Sequence, residues 1–164
     1  MNTFKIVFLL LAFSSAADGS LEIGVGLSSS MSGRHIPGMT AAYLGNDWAL
    51  SGTSTGAHTA TYYTSAYTAS YYRTWNPGKF FWGNLRAGFG GGLGYIERGY
   101  RSSTSTSNYE TRTEILAGPS FRATWNFLGP MVFTFDGLYG FGIATIGLPP
   151  LMHDLVMFSL GCEI

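Results

Sequence analysis

The chain has 164 residues, of which 46% are hydrophobic, 11% are charged and 23 are glycine. Its formal net charge is zero, which excludes the basic surface that a nucleic-acid-binding protein uses. Water-soluble domains average about 25% charged residues, so this composition suits a protein whose outer surface faces lipid.

The amino terminus has the three parts of a secretory signal peptide. Lys5 precedes an apolar run, and small residues up to Ala17 follow it. The apolar run is too short for a membrane-spanning helix, which needs about 20 residues. We expect cleavage after Ala17, or alternatively after Ala16, which removes residues 1–17 and leaves one domain over 18–164.

Beyond the signal peptide, apolar residues alternate with small or polar ones. In the first such segment Leu21, Ile23, Val25 and Leu27 alternate with glutamate, glycine and serine. A period of two indicates β-strands, because successive side chains of a strand point to opposite faces. The pattern predicts eight strands, at 20–31, 39–45, 48–55, 57–75, 79–100, 109–127, 131–144 and 151–164.

The segments between these strands differ in length. Short turns are predicted at 45–47, 76–79 and 128–130, whereas 102–108 and 147–150 are more open. Short turns on one side and longer loops on the other are typical of outer-membrane barrels. An even number of strands puts both termini on one side, which we expect to be the periplasm.

The polar faces of the strands distinguish a membrane barrel from a soluble sandwich. They carry glycine, serine and isolated charges of both signs, which fit a narrow lumen better than a solvent-exposed sheet. Aromatic clusters at 80–82 and 125–127 fit an interfacial girdle. The sequence therefore predicts an all-β, eight-stranded antiparallel up-and-down transmembrane β-barrel.

The alternating strands and the terminal strand 156–164 resemble those of the small eight-stranded outer-membrane proteins of Gram-negative bacteria, the OmpA/OmpX-like transmembrane barrels. The resemblance covers about residues 20–164. Members of this group usually end in an aromatic residue that the barrel-assembly machinery reads, whereas this chain ends in Ile164. The resemblance implies a location in the cell outer membrane, with its lipids and the assembly machinery as partners.

Seven charged residues are expected inside the barrel. Opposite charges at matching levels of a narrow tube should pair, because an unpaired buried charge costs several kcal/mol. We interpret the set as a structural network, with a selective ion path as the alternative, and expect Arg86 and Arg122 to pair with lumen carboxylates. The seven residues are Glu22, Arg73, Arg86, Glu114, Arg122, Asp136 and Glu163.

No catalytic, cofactor-binding or metal-binding residues are predicted. His35, His58 and His153 lack ligand spacing, and none belongs to the His-x-Ser pair of a lipid A deacylase. Cys162 has no partner for an internal disulfide and is interpreted as a small apolar strand residue. A lipid A-modifying enzyme is therefore the least favoured function.

Two functions are favoured instead. One is a structural or porin-like role in the envelope, although an eight-stranded barrel is only wide enough for its own side chains. The other is adhesion or recognition through exposed strands and loops, such as 59–72 and 102–108.

A homo-oligomer is expected from an asymmetry of the outer wall. The fourth strand offers lipid tyrosines, hydroxyl-bearing residues and alanines if its outer register holds the even residues 62–72, and the same residue types together with Arg73 if it holds the odd residues 63–73. The fifth strand carries a smooth strip of small outward-facing residues, Gly83, Ala87 and Gly91. The alternative is that the fourth strand stands above the membrane. The expected contact residues are Ala66, Thr68, Ser70, Gly83, Ala87 and Gly91.

Overall fold

The computed structural model describes residues 19–30, 35–59, 61–100, 110–145 and 152–164. The described residues form eight antiparallel strands, each paired with the next, and β1 pairs with β8 to close the barrel. The predicted fold class is confirmed. The strands are β1 (Ser20–Ser30), β2 (His35–Leu44), β3 (Trp48–His58), β4 (Tyr62–Phe80), β5 (Gly83–Tyr100), β6 (Glu110–Leu128), β7 (Met131–Thr145) and β8 (Met152–Glu163).

The predicted signal peptide and the open segments 102–108 and 147–150 lie outside the described residues. Within the described ranges, no helix is long and apolar enough to cross a membrane. We call the end of the barrel that carries the turns 45–47, 81–82 and 129–130 the turn end, and the opposite end the loop end.

Large apolar side chains cover the outer wall. Val25 on β1 and Phe89 on β5 are about 60% exposed, and their neighbours in sequence point inward. An apolar surface of this extent marks contact with lipid, since soluble monomers rarely expose large contiguous apolar patches. Other exposed members of the wall are Leu27, Leu93, Phe133, Phe141, Ile143, Phe158 and Leu160.

Aromatic rings surround the turn end. The indole N–H of Trp125 donates to the carbonyl of Phe80 at 3.1 Å, and the same ring covers Gly83, where an added Cβ would meet it at 2.3 Å. Such a girdle is typical of the membrane–water interface. Further rings here are Tyr43, Trp48, Tyr71, Phe81, Trp82 and Phe127.

The hairpin between β4 and β5 turns later than predicted. Residues 76–79 belong to β4, where the pairing with β5 shifts between Trp75 and Gly78. This shift in pairing is a bulge and not a turn. Gly78 permits it, because its φ of +113° is one that a glycine reaches without steric cost. The turn itself is made by 81–82, with Phe81 at φ +53°.

The boundary between β3 and β4 also differs from the prediction. β3 continues to His58, and a turn follows in which the amide of Thr59 donates to the carbonyl of Tyr62 at 2.7 Å. The hydroxyl of Thr59 donates to the same carbonyl at 3.0 Å. β4 therefore begins at Tyr62 rather than at residue 57.

Candidate functional site

Three charged residues form a cluster that spans the lumen, at a level nearer to the turn end than to the loop end. Arg122 on β6 donates from Nη2 to Oε1 of Glu22 on β1 at 2.6 Å, and from Nη1 to Oδ2 of Asp136 on β7 at 2.5 Å. All three side chains are at most 4% exposed. Buried charges are tolerated when they are paired and hydrogen-bonded, as they are here.

Hydroxyl groups extend this charged cluster to further strands. Thr134 donates to Oε1 of Glu22 at 2.5 Å. The hydroxyl of Tyr72, on β4, donates to Oδ1 of Asp136 and accepts from Ser51, on β3, at 3.3 Å. The cluster thus connects five of the eight strands through the interior.

Apolar side chains fill the lumen on the loop side of the charged cluster. Leu116 and Leu138 are at most 1% exposed. A Cβ added at Gly94 would lie 3.0–3.5 Å from atoms of Leu138, Leu155 and Leu116, so leucines from three strands converge there. Water therefore does not reach the side chains of Leu116 and Leu138. We call the group the apolar plug; it consists of Ala66, Ile96, Leu116, Leu138, Leu155 and Met157.

A cavity of about 290 Å³ lies at the turn end. Glu163 on its wall accepts from Ser20 at 2.5 Å and from Asn126 at 2.7 Å. Arg86 donates from Nε to Asn76 at 3.4 Å, and its Nη1 is buried without a hydrogen-bond partner among the described residues. The lining residues are Asn76, Gly78, Asn84, Leu85, Arg86, Asn126 and Glu163.

The predicted lumen position of Arg73 is wrong. Tyr72 and Thr74 are buried inside the barrel, so Arg73 between them points outward. Its side chain is 75% exposed and forms an ion pair with Asp47 at 3.2 Å.

The structure separates the other predicted charges into groups. Glu22, Arg122 and Asp136 form the charged cluster, whereas Glu114 is buried further towards the loop end, beside the apolar plug. The predicted pairing of Arg86 is wrong within the described residues, where no carboxylate lies within 4.0 Å of its guanidinium. The nearby carboxylates are engaged elsewhere: Arg122 holds those of the charged cluster, and Ser20 and Asn126 hold that of Glu163.

Half of the predicted oligomer face is also wrong. Ala66 and Ser70 are buried inside the barrel, and the hydroxyl of Thr68 bonds that of Thr53 at 2.7 Å. The outer register of β4 is the odd one, 63–73. The predicted residues of β5, Gly83, Ala87 and Gly91, do lie on the odd, outward-facing side.

Sequence reasoning missed Tyr72 and the apolar plug. Tyr72 gave no signal, because hydroxyl-bearing residues occupy both faces of β4. The plug did give one: Leu116 lies between Glu114 and Gly118 on an otherwise polar face, and Leu138 lies likewise between Asp136 and Gly140.

Among the described residues, no group of three or more histidine, cysteine or acidic residues could hold a metal ion. Cys162 is exposed on β8.

No protein-family model matches the chain, and no curated protein matches it in sequence. Solved structures are similar to it in fold. The N-terminal β-barrel domain of Pseudomonas aeruginosa OprF aligns with a TM-score of 0.59 and 14% identity, over 90% of this chain and all of that one. Ail, the attachment invasion locus protein of Yersinia pestis, aligns with a TM-score of 0.53 and 15% identity, over 90% of this chain and all of that one.

Neisserial surface protein A aligns with a TM-score of 0.52 and 13% identity, over 89% of this chain and 94% of that one. At these identities the likeness concerns the fold. The apolar outer wall and the aromatic girdle fit a barrel that spans a membrane. The chain has the closed eight-stranded antiparallel fold of the small outer-membrane β-barrels.

Proposed function

We propose that this protein is a structural barrel of the outer membrane whose lumen is closed. The apolar plug carries this proposal. A porin needs a continuous path for water, and the leucines that converge beside Gly94 leave water no access at their level. The charged cluster adds a second barrier, because its three charged side chains are at most 4% exposed.

Conductance across a planar bilayer tests the closed lumen. The mature protein, with its insertion verified by protease protection, is expected to give no steps above the lipid baseline. Replacement of Leu116 and Leu138 together by glycine removes the two most buried leucines of the plug and should produce openings. A reproducible open state of the unmodified barrel would contradict the proposal.

The orientation that we propose places both termini in the periplasm and the loop end outside the cell. The short turns support this orientation. They lie at the end that carries the C-terminus, and short turns of outer-membrane barrels lie on the periplasmic side. A tag after Ile164 should resist an impermeant label on intact cells and react after the outer membrane is opened. Labelling of the tag on intact cells would show that the C-terminus lies outside the cell and would contradict this orientation.

A recognition role for the loop end is a second candidate. Arg98 and Arg112 lie directly opposite each other across β5 and β6, and no carboxylate among the described residues lies within 4.0 Å of either. Like charges at directly opposed positions are unfavourable, so the pair favours an anionic partner. Ail, whose name records attachment, has the same fold.

Retention on immobilised dextran sulfate, with uncharged dextran as the blank, tests this recognition role. Replacing both loop-end arginines by glutamine should abolish retention, whereas Arg73→Gln removes an exposed charge from the other end and should leave retention intact. Equal loss from both variants would show a general charge effect and reject the site.

We also propose that the barrel self-associates through its outer wall, on a face revised by the register of β4. The outward residues Gly52, Ser54 and Gly56 of β3 form a shallow polar strip, and Ala87 and Gly91 form the smooth strip of β5. Hydroxyls and small residues favour close contact between proteins in lipid. Crosslinking of single cysteines at 54 and 87, in a Cys162→Ser background, should give dimers; monomers alone at native expression would exclude association.

A further inference from the structure

The cavity at the turn end is lined by a cation that has no carboxylate of the described residues within 4.0 Å. Arg86 lines it, has only the 3.4 Å contact with Asn76, and leaves Nη1 buried without a partner among those residues. Arg122 has two carboxylates and the exposed Arg73 has one, whereas Arg98 and Arg112 at the loop end, like Arg86, have none within 4.0 Å among those residues. A guanidinium left in this state beside a cavity favours an anion from outside the chain.

Glu163 opposes the entry of an anion. It lines the same cavity, and its two oxygens already accept from Ser20 and Asn126. A higher charge on the anion would increase its repulsion by this carboxylate and its attraction to Arg86 in the same proportion, so charge alone does not select the ligand. Shape does: a guanidinium holds a planar carboxylate through two parallel hydrogen bonds.

We propose that this cavity binds the carboxyl end of a peptide, or a similar small carboxylate flanked by amide groups. The planar guanidinium of Arg86 matches the geometry of a carboxylate. The side-chain amides of Asn76, Asn84 and Asn126 line the remaining wall and can both donate to and accept from peptide groups. The cavity, at about 290 Å³, lies at the lower end of volumes that hold small ligands, so it takes the end of a chain rather than a folded partner.

The site is built by the bulge in β4. Because the pairing with β5 shifts between Trp75 and Gly78, the intervening residues leave the regular ladder, and Asn76 and Gly78 line the cavity. The sequence Asn-Pro-Gly, which a simple turn would explain, thus serves to shape the wall beside Arg86.

The test uses the mature protein in detergent micelles and N-acetyl-trialanine as the probe. The peptide with a free carboxylate should shift the side-chain amide signals of Asn76, Asn84 and Asn126 in NMR spectra, saturably. Its C-terminal amide should bind at least about tenfold more weakly, since it cannot form the charge-assisted bonds. Equal binding of acid and amide, or no saturable shift with the acid, would overturn the proposal. Tighter binding of inorganic phosphate than of the acid would overturn the assignment to a carboxylate.

Two variants assign the effect to a residue. Arg86→Gln should weaken binding of the acid by at least about tenfold, because the charged partner is lost while an amide remains. Arg73→Gln removes an exposed arginine of β4 that does not line the cavity, and it should bind like the unmodified protein. Folding of both is verified by heat-dependent gel mobility. Unchanged binding by a folded Arg86→Gln protein would reject the site.

Discussion

Arg122 reaches Glu22 across the lumen at 2.6 Å, so the sixth strand is bonded through the interior to the first, although two strands separate them around the wall. The same guanidinium holds Asp136 on the neighbouring strand. The closed barrel is therefore held by its ladders and also by a charged crosslink in its interior.

Removal of the shared cation should destabilise the barrel strongly. Arg122→Met leaves two buried carboxylates without a counter-charge, and we expect the free energy of unfolding to fall by about 3–5 kcal/mol. Urea unfolding in lipid vesicles, followed by tryptophan fluorescence, measures it. Arg73→Gln, on an exposed ion pair, should change stability by less than about 1 kcal/mol.

A triple variant separates the charge effect from lost packing. Glu22→Gln, Arg122→Met and Asp136→Asn together leave no isolated charge at this level, so the triple variant should be more stable than Arg122→Met alone. If the triple variant were the less stable, the cost would come from packing and not from unpaired charge.

Adjacent tyrosines of β4 should respond differently to loss of the hydroxyl group. Tyr72→Phe removes the donor to Asp136 and should lower stability by about 1–3 kcal/mol, because a buried acceptor loses a partner. Tyr71 points to the outside and is 49% exposed, so Tyr71→Phe should have little effect. Equal effects of the two substitutions on the free energy of unfolding would contradict the assignment of Tyr72 to the lumen and Tyr71 to the outer face.

Adjacent glycines of β5 provide a test of strand packing. A Cβ at Gly90 would lie 1.9 Å from the carbonyl oxygen of Tyr71, which is backbone and cannot move aside. Gly90→Ala should therefore destabilise the barrel by at least about 1–3 kcal/mol. At Gly91 the nearest atom is the carbonyl oxygen of Gly118 at 3.7 Å, so Gly91→Ala should be neutral or slightly stabilising. The opposite ranking would contradict the geometry of the β4–β5 pair.

Strand number and the faces of most strands could be predicted from the sequence, because lipid and lumen impose opposite chemistry on alternate residues. The prediction failed on β4, where tyrosine, serine and threonine occupy both faces and leave no contrast to read. The contacts across the lumen of the closed barrel show which face of β4 points inward. Tyr72 points inward and reaches Asp136, so Arg73, the next residue, points outward.

Pairing among the lumen charges was only partly predictable. The expectation that opposite charges meet at matching levels fits Arg122, which has acids on both sides. It fails for Arg86, since those acids are then engaged and Glu163 is bonded to neutral side chains. The alternation along a strand predicts whether a charged side chain points into the lumen. Which carboxylate then pairs with which arginine depends on distances in three dimensions, which the sequence does not give.

Paramagnetic broadening of methyl NMR signals tests the central claim, a lipid-facing wall around a closed lumen, in the unmodified protein. Signals of Leu93 and Leu160 on the wall should broaden with a lipid-tail nitroxide and not with a water-soluble gadolinium chelate. Signals of Leu116 and Leu138 should broaden with neither, because the apolar plug excludes both reagents. Broadening of Leu116 and Leu138 by the gadolinium chelate would show an open, water-filled lumen and contradict the account.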